Sequence, residues 1–186
     1  MSTALDWTGK TAAFALGRRL ISGEPDNHLG EIQPFTRRGD SHVPSIDENL
    51  LIVGDNLPAL SGLLATHRGR VKVVYIDPPY NTGNALAYKD HGHDHASWLN
   101  FMTPRLMLAR ELMRDDGVIF IHLDDGESAW AQLLGHEIFG EENSLGTLIH
   151  QRAKGGGNSP SFVRGHDYVH VWAKAGERAG AFLKEM

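Results

Sequence analysis

Residues Val71 to Asn84, VKVVYIDPPYNTGN, constrain this chain more than any other stretch. The run Val-Lys-Val-Val-Tyr-Ile is β-branched and aromatic, and it is too short for a typical helix. Pro78 and Pro79 stop it, because proline has no N–H to give a sheet and biases the preceding residue away from the α region. The pattern predicts a buried strand, Val71 to Ile76, that runs out into a stiff, extended corner, Asp77 to Tyr80. In open α/β sheets the carboxyl ends of the strands are where ligands bind.

The corner carries a specific set of groups. Asp77 offers carboxylate oxygens, and the Pro78 carbonyl is an acceptor with no N–H beside it to compete. Two fixed acceptors can grip both hydrogens of an exocyclic amino group, while Tyr80 offers a flat face to a planar ring. Such a clamp suits an aromatic amine like that of adenine or cytosine, and it leaves the amine lone pair free to attack an electrophile. The gain is positioning plus electrostatics. The same tetrapeptide also makes an ordinary strand-end turn.

The rest of the chain alternates between strand and helix patterns. Met1 to Glu48 is weakly patterned: Thr11 to Ile21 fits a short helix, and Ser22 to Asp47 reads as an irregular arm. The core begins at Asn49. Leu50 to Val53 reads as a strand ending in Gly54-Asp55-Asn56, followed by a helix with Leu57, Leu60 and Leu64 at helical spacing. Asp55 at that turn fits either a helix cap or a ligand contact. Asn81 to Asp94 reads as a loop, a lid over the strand ends. It contains His91 and His93, with His95 next, but alternating histidines with no fixed support are usually solvent-exposed, and no metal is expected.

Ser97 to Arg114 predicts a helix capped by Ser97 and kinked at Pro104. A buried strand, VIFIHL, exits into Asp124 and Asp125, and Glu127 to Phe139 is a second amphipathic helix. Leu145 to Gln151 and Asp167 to Lys174 read as two strands joined by a Gly/Ser-rich loop without a helix, hence antiparallel to each other. The alternation argues for an α/β fold, a mainly parallel sheet with helices on both faces.

Composition narrows the setting. The 186 residues include no cysteine, which excludes disulfides and thiolate metal sites and fits a reducing cytoplasm. No apolar run approaches the ~18 residues that span a bilayer, so no membrane partner is expected. The net charge of −5 is not that of a self-sufficient DNA-binding domain.

Taken together, LDWTGK, LLIVGDNLPAL, VKVVYIDPPYNTGN, WLNFMTPRLMLARELMRDDGVIFIHLDD, EIFGEEN and HDYVHVWAK resemble, in order, the blocks of adenine-specific DNA methyltransferases. The likeness is to the modification subunits of type III restriction-modification systems, with the β order of motifs. It implies an incomplete Rossmann-like sheet dependent on S-adenosylmethionine, which donates a methyl to adenine N6 of a base flipped out of double-stranded DNA. Asp77 and Pro78, with Pro79 and Tyr80, would form the catalytic corner, and Asp55 and Asp77 would meet the cofactor. Asp124 is a looser candidate for the same cleft.

The resemblance also implies what this sequence lacks. The family's glycine-rich cofactor loop, F-x-G-x-G, and its target-recognition region do not occur in these residues. The expectation is therefore an N-terminal arm, 1–48, and a partial catalytic domain, 49–186. Another chain or a C-terminal half would complete the fold, and a helicase-nuclease restriction subunit is a further expected partner. N4-cytosine methylation and an inactive remnant serving as an assembly module remain alternatives.

Overall fold

The computed structural model describes residues 5–24, 49–82, 94–152 and 165–179. Four helices and four strands follow one another as α1 (Lys10–Ser22), α2 (Asn56–His67), β1 (Val71–Ile76), α3 (His95–Leu112), β2 (Met113–Leu123), α4 (Asp125–Phe139), β3 (Ser144–Gln151) and β4 (His166–Ala173). A short 3₁₀ turn, Glu141–Asn143, precedes β3. No described helix is long and apolar enough to cross a membrane.

The strands form one sheet in the order β1-β2-β4-β3. β1 and β2 are parallel, whereas β4 runs antiparallel to both β2 and β3. This corrects the expectation of a mainly parallel sheet. β4 lies between β2 and β3, and both of its ladders are antiparallel, so only the β1–β2 pair is parallel among the described strands.

Side-chain alternation gives the sheet two different faces. Ile119, Ile121 and Leu123 of β2, Val74 and Ile76 of β1 and Trp172 of β4 join Trp98, Leu99, Met102 and Leu106 of α3 and Leu134 of α4 in the main core. The helices flank the sheet, and both α3 and α4 pack on this face. The opposite face carries Val118, Val171 and Ala173 under Ala179 at one end. Further along it Val73 and Tyr75 are open to solvent.

α1 and α2 pack on α3, through Leu20, Leu57, Leu64, Leu108 and Leu112. Gly17 permits the α1–α3 contact, since a Cβ there would meet Met107 Sδ at 2.4 Å. Lys10 pairs with Glu137 at 2.7 Å and Trp7 Nε1 donates to Asn100 at 2.7 Å, so α1 is fastened to the core at its start. The remainder of the predicted arm, 25–48, lies outside the described residues.

Three local expectations are corrected. Leu50 to Val53 does not form a strand; Leu51 and Val53 are 73% and 74% exposed. A strand needs a partner for its N–H and C=O groups, and β1, an edge strand, pairs among the described strands only with β2. Asp94, not Ser97, caps α3: its carboxylate accepts the Ser97 N–H at 2.8 Å, and two more residues thereby join the helix start. α3 ends at Leu112 rather than at Arg114, because β2 already begins at Met113 and bulges before Val118.

Candidate active site

The predicted corner is held from two sides. Trp98 Nε1 of α3 donates to the Pro79 carbonyl at 2.8 Å. Asn81 adopts a left-handed backbone, φ 61°, and its side-chain amide donates to Glu127 Oε1 of α4 at 2.6 Å. Glu127 is buried, and the same oxygen lies 3.0 Å from His95 Nδ1. Glu127 Oε2 is buried and has no hydrogen-bond partner among the described residues. The corner therefore combines rigid prolines with anchors before and behind.

Asp77 is exposed and Tyr80 is half-buried, with the Asp77 carboxylate near the Tyr80 hydroxyl. Burial first, then the neighbouring Asp77 carboxylate and the charges of Asp167 and Asp124, hold the phenol well above its ordinary acidity range. It stays a neutral donor and a flat surface beside a carboxylate. Pro78 and Pro79 are half-buried between them.

Asp55 lies on a second loop. Its carboxylate caps α2 by accepting the Leu57 N–H at 2.7 Å and pairs with Arg105 Nη2 at 3.0 Å. Arg105 also donates to Asn56 Oδ1 at 2.6 Å and to the Phe101 carbonyl at 2.7 Å. It is buried over the Phe101 ring, which fixes the direction of its guanidinium. The Asp55 side chain is still 61% exposed, leaving carboxylate surface for a ligand. Asp124 caps α4, accepting from Gly126 N at 2.9 Å, and its charge reaches Tyr80.

A second constellation was not foreseen. His122 of β2, His150 of β3 and Asp167 of β4 bring one ligand atom each to within 4.8 Å of one another on the open face of the sheet. The His122 ring centroid lies 6.3 Å from that of Tyr80. Strand register assembles the trio: His150 pairs with Asp167, and His122 pairs with Val169, one side-chain repeat along β4. Sequence spacing gives no hint of this, because the three are neighbours only through pairing across three strands.

A hollow of about 420 Å³ lies on the other face, between α4 and the β3–β4 hairpin. Asp125, Ser128, Thr147, Tyr168 and His170 line it, and none of the predicted site residues does. The expected lid, 83–93, and the Gly-rich connection, 153–164, lie outside the described residues.

An Asp-Pro-Pro-Tyr corner at the end of a strand, in a helix-flanked sheet whose last strand runs antiparallel, is the arrangement of a DNA methylase. The chain belongs to that family: the DNA methylase family model matches residues 71–184. It is 34% identical to the EcoP15I Mod subunit, a type III restriction-modification enzyme of Escherichia coli, over 95% of this chain and 31% of that protein. Identity is 43% with the probable HindVI Mod subunit of Haemophilus influenzae, over 81% of this chain and 20% of the relative. The type II methyltransferase M.KpnI of Klebsiella pneumoniae is 35% identical over 81% of this chain and 42% of its own length. The chain thus spans less than half the length of each of these relatives.

Proposed function

We propose that these residues form the catalytic portion of a restriction-modification DNA methyltransferase that moves a methyl group from S-adenosylmethionine to adenine N6. The observation that carries the reading is the Asp77–Tyr80 contact on a corner pinned by Trp98 and Glu127. A carboxylate and a ring face held side by side match an aromatic amine in a way an ordinary turn has no reason to do.

The donor set fits a cationic methyl donor, since Asp55 and Asp77 are both acidic and exposed. When bound, that donor supplies an electrophilic methyl on a sulfonium. The chain's own residues do the rest. Tyr80 stacks on the extruded base, a contact worth ~1–3 kcal/mol in comparable base–aromatic pairs. Asp77 and the Pro78 carbonyl accept the two amine hydrogens and so aim the nitrogen lone pair. As nitrogen bonds the methyl it becomes positive, and Asp77, fixed in place, stabilises that charge without reorganising.

Double-stranded DNA is the proposed substrate, and further polypeptide would supply the glycine-rich cofactor loop and the sequence-reading surface. Kinship with type III Mod subunits supports a restriction subunit as partner and a cytoplasmic setting. The test is mass spectrometry of nucleosides from DNA treated with the chain in its natural assembly and isotope-labelled donor. N6-methyladenine is the expected product. Labelled N4-methylcytosine would reassign the base, and no labelled base at all would support an assembly role instead.

A further inference from the structure

We propose a divalent transition-metal site formed by His122 Nε2, His150 Nδ1 and Asp167 Oδ2, on the open face of the sheet beside the Asp77–Tyr80 corner. Asp167 is the centre of the argument. Its side chain is only 3% exposed, and its Oδ2 lies 3.4 Å from His122 Nε2 and 4.0 Å from His150 Nδ1. A separation of 3.4 Å is long for an N–H···O bond. It is close to the ligand–ligand edge, about 3.4 Å, of a tetrahedron built on ~2.1 Å bonds to zinc.

Two further observations point to a ligand. His122 Nε2 is buried and has no hydrogen-bond partner among the described residues, although a buried ring nitrogen ordinarily finds one. The other nitrogen of that ring, Nδ1, lies 3.1 Å from the Tyr75 hydroxyl. With Nδ1 as the donor to that oxygen, the Nε2 lone pair is left free to bind metal, the arrangement that orients metal-bound histidines generally. The carboxylate has an ion-pair neighbour on its other oxygen: Arg152 Nε lies 3.1 Å from Asp167 Oδ1, though not aligned as a hydrogen bond, and Oδ2 faces the imidazoles.

Two imidazoles and one carboxylate, with no thiolate, suit zinc and its late first-row neighbours better than magnesium or calcium, which favour oxygen alone. His150 is 57% exposed, so its ring can move the last ångström needed to close the site. A bound ion would tie β2, β3 and β4 together at the end nearest the corner. The site stands independently of the methyl-transfer reading.

The test is a zinc titration of the metal-stripped chain against a chromophoric chelator, followed by cobalt(II) absorption. The expected result is one equivalent of zinc, bound at least tenfold more weakly in His150→Ala, a loss no smaller than that of an outer partner. Because His150 is exposed, this variant keeps the fold. His91→Ala/His93→Ala, in the separate histidine-rich stretch, should bind as the unaltered chain does, and the cobalt d–d bands should change only with His150→Ala. Absence of stoichiometric binding overturns the proposal, as does binding that survives His150→Ala or is lost in His91→Ala/His93→Ala.

Discussion

Trp98 and Arg105 stand seven residues apart on α3, so they share one face of the helix about 10 Å apart, and each holds one loop of the site. Trp98 reaches the Pro79 carbonyl and Arg105 reaches Asp55 and Asn56. α3 is therefore a ruler that sets the spacing between the Asp77–Tyr80 corner and the acidic turn before α2. Replacing Trp98 with Phe keeps the aromatic bulk and deletes the bond. Urea denaturation should show a loss of about 1–2 kcal/mol, the usual cost of stranding a hydrogen-bonding group. Methyl transfer by the assembled enzyme should fall as the corner loosens.

Glu127 is the second anchor, and its two substitutions should differ. Glu127→Gln keeps an oxygen for the Asn81 amide, whereas Glu127→Ala removes the charged acceptor of a residue whose backbone is left-handed. The alanine variant should be less stable by about 2–3 kcal/mol, in the range for hydrogen bonds to charged groups, and the glutamine variant should recover most of that. Equal losses in both would show that packing, not the bond, fixes the corner.

Gly135 on α4 faces the Trp172 indole so closely that a Cβ would lie 2.3 Å from the ring. Trp172 is buried in the core, and the ring has nowhere to go. Gly135→Ala should therefore destabilise the chain by about 1–3 kcal/mol despite the better helix propensity of alanine. Thermal melting reads this directly.

His170 gives the fold an acid sensitivity. It is buried between Ser128 Oγ and Thr147 Oγ1, each 2.8 Å from a ring nitrogen. Burial holds its pKa below the ordinary 6.5, with the Ser128 contact opposing and His136 adding to the shift. The unfolded chain then takes up a proton as pH falls through ~6.5 while the folded chain does not, so folding stability drops below that pH until the folded value is reached. His170→Gln should melt lower at pH 7.5 yet lose less between pH 7.5 and 5.5. Identical pH slopes would show that other groups set the acid response.

How much of this was readable beforehand follows from the range of the forces involved. Asp77 to Tyr80 was legible because prolines act on their immediate neighbours, and Asp55 as a cap because an aspartate before a leucine-rich period is a local signal. Leu50 to Val53 misled because an apolar run specifies a strand only when a ladder partner is present. The Asp94 cap was hidden by an equally good Ser97 three residues on. The roles of Trp98 and Glu127 could not be read, since both were already explained as helix residues and their partners lie in another element. His122, His150 and Asp167 meet only through the register of a hairpin and the insertion of β4 beside β2, which no window of sequence contains.

The central claim is that Asp77 holds the target amine, and its most direct measurement is single-turnover transfer of labelled methyl to DNA by the assembled enzyme carrying Asp77→Ala. The account predicts at least a hundredfold slower transfer, the order seen when one transition-state-stabilising group is removed. DNA affinity should stay within a few-fold of the unaltered assembly. Transfer within a few-fold of the unaltered enzyme would contradict it.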